Sequence, residues 1–594
     1  MSVLLQTSKC IFRKPFNNTF CKYVFLRKNS DVPKKFITFD EVVAQRRAEA
    51  MRSVVVQVNS DSSFNELYGY CSKYASIKDI HHYKNTGGEH FMVIEFASED
   101  NLKDVLKSCS SHNKDHDVIS VQSPFLWFRA AVGNKEKFAD TGKKLAVKNG
   151  TEICNEDVLL EDILNCETVS DQIQLLYERT TLNDLSIRLR YIVARQLEMI
   201  FNSLYTNVKI QPFGSSVNGF GRMGCDLDLV LINSITEEMG AASRRLVFQE
   251  KRSARQLELA GALLELRVAG VARLTRILNA RVPIVKYAHE YAGLHCDLCY
   301  NNSAAVHMSE LLWQLGELCA RSRALAVLVR RWAAATGLTQ PHPGRWLTNF
   351  PLTLMVLFFL QRTGLLPSLN RLVSEAGKED IRIAEENVNC TFLRDLNKLP
   401  ADSYEQNDDD LQTLLFKFFE FYSQFDFQEK AISINEGKPI RKPNSLPLYI
   451  VNPLEQSLNV SRNVSYEECE RLRLEVRNAA WHLESCLDGK KSDDWGILGL
   501  IEKKSSRGLK KLLRVGNSHR LVSMKDLFTD NDNEPSVEGI RSKMQKFVKT
   551  DKEVDTSVKE MKSEMSKEQK SGKIKFKNNQ TASAVYRIRR DKII

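Results

Sequence analysis

The most informative stretch of this chain is PFGSSVNGFGRMGCDLDLVL, Pro212 to Leu231. Its DLDLVL end alternates acidic and apolar residues, which predicts a strand that sends Asp226 and Asp228 to one face of a sheet. Two ionised carboxylates side by side repel each other, so the pair indicates a site for a cation.

A tight turn and a third acid accompany this pair. Gly214, Ser215 and Ser216 follow the strand-like QPF, which predicts a turn whose backbone N–H groups and hydroxyls can hold phosphate oxygens. Asp297, inside the strand-like YAGLHCDLCYN, can join the pair from a neighbouring strand. A divalent metal held between carboxylates and a polyphosphate suits this set of side chains.

Gly-Ser, a ten-residue spacer, Asp-x-Asp and a later strand Asp resemble the signature of the DNA polymerase β-type nucleotidyltransferase superfamily. The segments NNSAAVHMSELL, WLTNFPLTLMVLFFLQ and PLYIVNPLEQSLNVSRNVS are similar to its branch of poly(A) polymerases and terminal uridylyltransferases, over about residues 185–470. The resemblance implies an α+β fold. A palm of mixed sheet with helices would be followed by a mostly helical poly(A)-polymerase-associated domain.

The resemblance also implies roles for individual residues. Asp226 and Asp228 would bind two Mg²⁺ ions, with Mn²⁺ as an alternative, and Asp297 would hold one of them and help to deprotonate the RNA 3′-hydroxyl. The positions that the family uses for the nucleotide correspond to Gly214, Ser215, Ser216, Asn302, Ser309, Arg330, Asn349, Phe350, Leu458 and Asn459.

Two positions depart from the family pattern. Ala334 stands where the family often places a second Lys, and Asn349-Phe350 stands where it often places Ser-Tyr. Phe350 can still stack on a base, and Asn349, which precedes Pro351, suits a helix N-terminus that faces phosphate.

The choice of base depends mainly on one position. Uridylyltransferases of this branch carry a His where this chain has Leu458, and a site that loses a hydrogen-bonding group loses discrimination for that base. Met308, where uridine users often carry Asn, favours ATP in the same way.

The predicted activity is therefore the template-independent addition of AMP from ATP to the 3′ ends of mitochondrial RNAs, with release of pyrophosphate. One alternative is the same chemistry with UTP. The other is a catalytically inactive RNA-binding scaffold, against which the presence of all three acids argues.

The positive charge of the chain lies at its two ends. The formal net charge is +11, yet residues 1–30 contain six basic and no acidic side chains, and residues 541–594 contain sixteen basic and seven acidic ones, so the body is mildly acidic. The basic, hydroxyl-rich leader is typical of a mitochondrial transit peptide, which predicts location in the matrix, although a basic disordered arm is the alternative. The basic tail could add salt-sensitive RNA affinity. No apolar run approaches the ~20 residues of a membrane span, so no membrane partner is expected.

The N-terminal part predicts an RNA-recognition-like βαββαβ domain, with strands at 53–58, KDIHHYK, HFMVIEFAS and DVISVQ. Its third strand keeps Phe91 but has Val93 at the next outward position, so a packing or dimerisation surface is favoured over base stacking. A homodimer through this domain is expected. The predicted division is a transit peptide at 1–35, the RNA-recognition-like domain at 40–130, a linker at 131–170, the palm at 171–305, the helical domain at 306–500 and a disordered tail at 504–594.

Two long helices are predicted from the spacing of apolar residues. Apolar spacing predicts one long helix over about 171–204, and SELLWQLGELCARSRALAVLVRRWAAATG predicts another from Ser309 to Gly337.

The GxGxxG at 219–224 precedes a strand, so it is not expected to bind a dinucleotide. Cys296 and Cys299 are three residues apart on a strand and should point to opposite faces, which argues against a metal site.

Overall fold

The computed structural model describes residues 36–108, 123–128, 146–147, 153–205, 207–233, 246–266, 268–341, 344–405, 407–486 and 494–502. The predicted transit peptide at 1–35, the predicted strand at 117–122 and the predicted tail at 504–594 lie outside these ranges. No helix within them is long and apolar enough to cross a membrane.

The N-terminal part is a five-stranded sheet with three helices, of which the first packs on one face and the other two on the opposite face. Its elements are α1 (Phe39–Met51), β1 (Ser53–Val58), α2 (Phe64–Ser72), β2 (Ile77–Lys84), β3 (His90–Phe96), α3 (Glu99–Ser108), β4 (Phe125–Trp127) and β5 (Ala146–Val147), and the strand order is β4-β1-β3-β2-β5. The strands predicted at 53–58, 78–84 (KDIHHYK) and 90–98 (HFMVIEFAS) are confirmed as β1, β2 and β3, the last of which ends at Phe96. β1 lies between β3 and β4, and β4 (Phe125–Trp127) runs parallel to β1.

The exposed face that an RNA-binding sheet would need is covered by the rest of the chain. Phe91 and Val93 are each 1% exposed. Phe91 lies 5.6 Å from the ring of Tyr291, and the Tyr83 hydroxyl donates a 2.9 Å hydrogen bond to the Tyr291 carbonyl. This face therefore packs on the palm, and Phe91 is not available to stack on a base.

The palm is a mixed five-stranded sheet with the order β6-β7-β10-β9-β8, in which only the β7–β10 pair is parallel. Its elements are α6 (Asp184–Phe201), β6 (Val208–Phe213), β7 (Leu227–Asn233), α7 (Leu246–Glu265), β8 (Val271–Ile277), β9 (Ile284–His289) and β10 (Leu294–Tyr300). The parallel pair is central, which places the ends of β7 and β10 side by side.

The predicted long helix over 171–204 is wrong as a single element. It is two helices, α5 (Val169–Thr180) and α6, with Thr181 in an extended conformation between them. The side chain of Asn183 accepts a 2.8 Å hydrogen bond from the Ser186 N–H and so starts α6 anew. The apolar spacing continues through this break because both helices bury their apolar faces.

The C-terminal part is mostly helical, as predicted. It contains α8 (Ser303–Leu318), α9 (Arg321–Ala335), α10 (Asn349–Arg362), α11 (Leu369–Ser374), α12 (Leu411–Gln424), α13 (Tyr466–Cys486) and α14 (Leu498–Ile501), a small pair of strands β11 (Lys430–Ala431) and β12 (Ile440–Arg441), and 3-10 turns at 378–380, 385–387, 396–398 and 401–403. Its apolar core also takes in α4 (Glu156–Leu164) and α5. The range 131–170, predicted as a linker, thus contains a packed helix.

The helix predicted from Ser309 to Gly337 also differs from the structure. It begins six residues earlier, at Ser303, because Asn302 caps the first turn, and it breaks at Cys319, whose backbone is extended. The second helix, α9, ends at Ala335, just before Gly337, whose φ of +76° suits the residue after a helix.

A buried ion network joins the N-terminal domain to the palm. Asp184, at the start of α6, is 5% exposed and accepts 2.7 Å hydrogen bonds from both Arg46 and Arg188. Arg188 also contacts Glu95, which is 1% exposed, at 2.7 Å. Burial alone would raise the pKa of Asp184, but the charges and hydrogen bonds of Arg188 and Arg46 outweigh it and lower the pKa to about 2.

We expect Asp184→Asn to destabilise the fold by about 2–4 kcal/mol at pH 7, since it leaves two buried guanidinium groups short of a carboxylate. The pKa of Asp184 is depressed on folding, so its contribution is present above pH 4 and is lost as the pH falls through about 2. Urea unfolding at pH 7 and pH 3 should show the difference between wild type and variant narrowing at pH 3. Asp162→Asn, in a half-exposed 3.0 Å pair with Arg179, is the control and should cost under about 1 kcal/mol. Equal losses in the two variants would contradict the role of burial.

Candidate active site

Three carboxylates meet on one face of the palm sheet. Asp228 on β7 and Asp297 on β10 are direct partners in the parallel pairing. Asp226 lies two residues before Asp228 and therefore leaves the sheet on the same side. The convergence predicted from the DLDLVL and HCDLC segments is thus present in the structure.

A lysine that the sequence reasoning missed lies between these acids. Lys286 on β9 pairs with Asp297, and its ammonium is 3.0 Å from Asp297 Oδ1 and 3.4 Å from Asp226 Oδ2. Burial opposes its charged form, but the hydrogen bonds and charges of Asp297 and Asp226 outweigh burial and raise the pKa of Lys286. The available signal was a single Lys inside the apolar strand PIVKYAH, and only the strand pairing shows what it faces.

The electrostatics of Asp228 show that the cluster has an excess of negative charge. Burial first, and then the charges of Asp297 and Asp226, raise the pKa of Asp228 to about 7, against the opposing charges of Lys286 and Arg190. Without a further cation, the Asp228 carboxylate is therefore only about half ionised at pH 7.

The donor set fits divalent cations. Asp226 and Asp297 direct oxygens at one common point, which the Lys286 ammonium marks, and carboxylate oxygens are the ligands that Mg²⁺ and Mn²⁺ prefer. In the part of the chain that the structure describes, no three acidic, His or Cys side chains already stand close enough to enclose an ion. The fit therefore rests on the charge excess and on the ligand type.

The phosphate-turn candidate, Gly214 to Ser216, forms a 3-10 turn directly beside the acids. Gly214 has a φ of +67°, and a Cβ there would lie 2.4 Å from Asp228 Oδ2. Only glycine combines this backbone conformation with such a close approach. Ser215 is partly exposed, whereas Ser216 is 4% exposed and its hydroxyl donates to the Asp226 carbonyl at 3.3 Å.

Ser309 contacts this turn and Asn302 caps the helix α8 that carries Ser309, and both side chains hydrogen bond to the protein itself. The Ser309 hydroxyl, in a residue that is 2% exposed, accepts a 2.7 Å hydrogen bond from the Gly214 N–H and donates to the Ala305 carbonyl. Asn302 caps α8, accepting from the Ala305 N–H at 3.4 Å. The carboxylate of Glu385 accepts from the Ser303 N–H at 2.9 Å, so an acid already occupies the start of α8.

Arg330 and Asn349 are brought together through Thr353. Arg330 Nε donates to the Thr353 hydroxyl at 3.1 Å, and that hydroxyl donates to the Asn349 carbonyl at 2.7 Å. A further N–H of Arg330 donates to the Phe220 carbonyl, and burial lowers the pKa of this guanidinium to about 10. Asn349 is exposed at the first turn of α10, and Phe350 beside it is partly buried.

The candidate base-selecting residue, Leu458, lies in a loop closed by its own backbone. The Leu458 N–H donates to the Glu455 carbonyl at 2.8 Å, and the Asn452 N–H donates to the Leu458 carbonyl at 2.9 Å. Asn459 is 8% exposed, and its amide holds the backbone of Leu448 and Ile450 at 2.8 and 3.0 Å. Leu458 is partly exposed and can contact a ligand, whereas the Asn459 amide is used to shape the loop.

The two discounted motifs have the arrangement that was expected. Cys296 and Cys299 are both buried but belong to different apolar clusters on opposite faces of β10. The glycines of GxGxxG lie in the loop before β7 and not between a strand and a helix. Gly219 and Gly224 each have a φ of +79°, which accounts for glycine there.

Two family models match the chain. The central palm domain described as "Poly(A) RNA polymerase, mitochondrial-like" matches residues 169–317, and "Cid1 family poly A polymerase" matches residues 410–456.

Curated proteins and solved structures are also similar. A protein named poly(A) RNA polymerase, mitochondrial, from Drosophila melanogaster is 45% identical over 469 residues, covering 75% of this chain and 76% of that protein. The Homo sapiens protein of that name is 33% identical over 537 residues, covering 87% and 88%. A crystal structure of mtPAP in complex with UTP matches with a TM-score of 0.70 at 31% identity, covering 78% of this chain and 100% of that one. The related mtPAP has also been crystallised with ATPγS, GTP and CTP.

Proposed function

Because this chain belongs to the family of mitochondrial poly(A) RNA polymerases, we propose that it adds AMP from ATP to the 3′ ends of mitochondrial RNAs without a template. The observation that carries the proposal is the meeting of Asp226, Asp228 and Asp297 on adjacent strands beside the Gly214 turn. The transfer joins the RNA 3′-oxygen to the α-phosphorus of ATP and releases pyrophosphate.

The residues around the carboxylates divide the work of the transfer. Asp226, Asp228 and Asp297 would hold Mg²⁺, or Mn²⁺, and the bound ions would supply Lewis-acid stabilisation of the attacking and leaving oxygens. Asp297, at the edge nearest Lys286, is the proposed acceptor of the proton from the RNA 3′-hydroxyl. Lys286 keeps a positive charge on the face that the anionic substrates must approach.

The nucleotide would be held from two sides. On the palm side, the turn Gly214–Ser216 is proposed to bind the phosphates through the Ser215 hydroxyl and the backbone N–H groups of Ser215 and Ser216. The Gly214 N–H is held by the Ser309 hydroxyl, and the Ser216 hydroxyl is held within the protein. On the helical side, Phe350 and Leu458 are proposed to contact the base, and Asn349 at the start of α10 to face phosphate. Arg330, Asn302 and Asn459 would support these groups through the contacts described above.

The decisive experiment is an addition assay with purified full-length protein, labelled RNA and one nucleoside triphosphate at a time. We expect an RNA ladder with ATP and little extension with the other three. Preferential extension with UTP would identify a uridylyltransferase. No extension with any nucleotide, in protein that binds RNA, would identify an inactive scaffold.

We expect Leu458→His to raise the use of UTP relative to ATP by about tenfold, since it adds a polar group that can hydrogen bond to uracil. The related mtPAP has been crystallised with all four kinds of base, so turnover and not binding alone must be compared. The measurement is kcat/KM for each nucleotide. Leu458→Met, which stays apolar at similar volume, is the control and should keep the preference for ATP. An unchanged ratio in the His variant would move base selection to another residue.

The protein is mitochondrial by family, and we propose the matrix as its location, which is where its proposed RNA substrates are found. We also propose a homodimer through the N-terminal domain. The sheet face with Phe91 is buried on the palm, so the contact would use another surface of that domain. Sedimentation of the full-length protein distinguishes a monomer from a dimer.

The division into six ranges given above is retained as a proposal, with α4 assigned to the helical domain.

A further inference from the structure

Arg190 on α6 is a buried cation that no role described so far uses. It is 1% exposed, and within the described ranges no carboxylate lies within ion-pair distance of its guanidinium. A buried charge without a close counter-ion is unfavourable, so its retention calls for other groups that compensate for the loss of water.

The hydrogen bonds of Arg190 reach both ends of the loop that connects Ser216 to Asp226. Nε donates to the Ser216 hydroxyl at 3.2 Å, and Nη2 donates to the Cys225 carbonyl at 2.8 Å. Nη1 donates to the Ser186 carbonyl at 3.1 Å on its own helix. Ser216 is the last residue of the turn Gly214–Ser216, and Cys225 directly precedes Asp226. One planar guanidinium therefore connects the turn proposed to bind phosphate with the segment that carries the first of the proposed metal-binding aspartates.

The position of Arg190 also makes its charge relevant to the acids. Its guanidinium donates to the carbonyl of Cys225, the residue directly before Asp226, so its positive charge lies beside the carboxylate cluster. Lys286 supplies positive charge from the open side of the cluster, and Arg190 supplies it from within the protein. The guanidinium of Arg190 is thus held by the protein itself.

We propose that Arg190 is a positioning residue for nucleotide transfer. Its guanidinium holds the turn Gly214–Ser216 and the start of β7 in a fixed relative position, and its positive charge offsets the mutual repulsion of the three aspartates. This inference rests on the proposed function of the aspartate cluster. It assigns no contact between Arg190 and the substrate.

The first test compares kinetics at two buried arginines of the same helix. Arg195, 7% exposed, donates to the carbonyls of Ala50 at 2.8 Å and Ser53 at 3.2 Å in the N-terminal domain, away from the loop. We expect Arg190→Lys, which keeps the charge but cannot bridge both segments, to lower kcat at saturating ATP at least about tenfold. Arg195→Lys should keep kcat within about twofold at a temperature where both variants are folded. Equal losses at the two positions, or full kcat in Arg190→Lys, would overturn the proposal.

The second test measures Mn²⁺ binding to the free protein, without nucleotide or RNA, by electron paramagnetic resonance. Arg190→Met removes a positive charge near the carboxylates, so it should bind Mn²⁺ more tightly, by about three- to tenfold, while turning over more slowly. Arg190→Lys and Arg195→Met should bind Mn²⁺ as the wild type does. Tighter metal binding together with slower turnover cannot come from partial unfolding. Unchanged or weaker Mn²⁺ binding in Arg190→Met would refute the electrostatic part.

A further variant covers the case in which Arg190→Met does not fold. Ser216→Ala removes only the hydroxyl that Arg190 holds, and its effect on kcat should be non-additive with that of Arg190→Lys. Additive effects would show that the two residues act separately and would reject the proposal. Failure of the proposed function itself is distinguishable, because the wild type would then add no nucleotide while the comparison of Mn²⁺ binding still reports on Arg190.

Discussion

We expect Asp228→Asn to cause the largest loss of nucleotide addition of any single substitution, in a protein that stays folded. Metal ions at such a site supply several kcal/mol of transition-state stabilisation, and losing a shared ligand should lower kcat by about 10³-fold or more. The measurement is single-nucleotide extension of labelled RNA with ATP. Asp100→Asn removes a carboxylate that is 89% exposed on α3, and it should leave kcat unchanged.

The same substitution should stabilise the metal-free protein. The pKa of Asp228 is raised from 3.8 to about 7 on folding, so the unfolded chain releases this proton at lower pH than the folded one. Stability is therefore lost as the pH rises from about 4 to about 7, and stays at the lower level above that range. Thermal unfolding in chelator should show Asp228→Asn gaining on the wild type across this window. A variant that is less stable than wild type at pH 8 in chelator would contradict the excess of negative charge.

Gly214→Ala should lower kcat by about 10²-fold or more, the scale expected when catalytic groups move by about 1 Å. The new Cβ would lie 2.4 Å from Asp228 Oδ2, so the carboxylate or the turn must shift. The introduced alanine would also have to adopt the left-handed backbone conformation, which costs about 1–2 kcal/mol for a residue with a side chain.

Gly88→Ala separates these two effects. Gly88 has a φ of +78° but no atom within 4 Å of the position of its Cβ, so the variant has the backbone strain without the collision. We expect both variants to lose stability in urea unfolding, with a larger loss at Gly214 because of the added collision, and a loss of kcat only at Gly214. Normal kcat in Gly214→Ala would show that the turn can move away from Asp228 without affecting transfer.

Part of the active site could be predicted because the relevant pattern is local. Asp226 and Asp228 are two residues apart in an apolar strand, and the alternation of a strand sends both to one face wherever that strand lies. The glycine of the turn and the third acid could be identified from their order along the chain. The helix breaks at Thr181 and Cys319 were missed because the apolar spacing runs through both, while single caps end or start the helices.

What the amino-acid sequence alone determined is thus the catalytic strand, its paired acids and the family to which the pattern is similar. Only the tertiary structure decided that Lys286 stands between two of the acids, that Arg190 lies behind them, and that the hydroxyl of Ser309 is turned toward the protein. These neighbours come from other strands and helices, so their positions depend on strand register and helix packing between residues far apart in the chain. Periodicity specifies which way a side chain points from its own element, but it contains no information about which distant side chain it will meet.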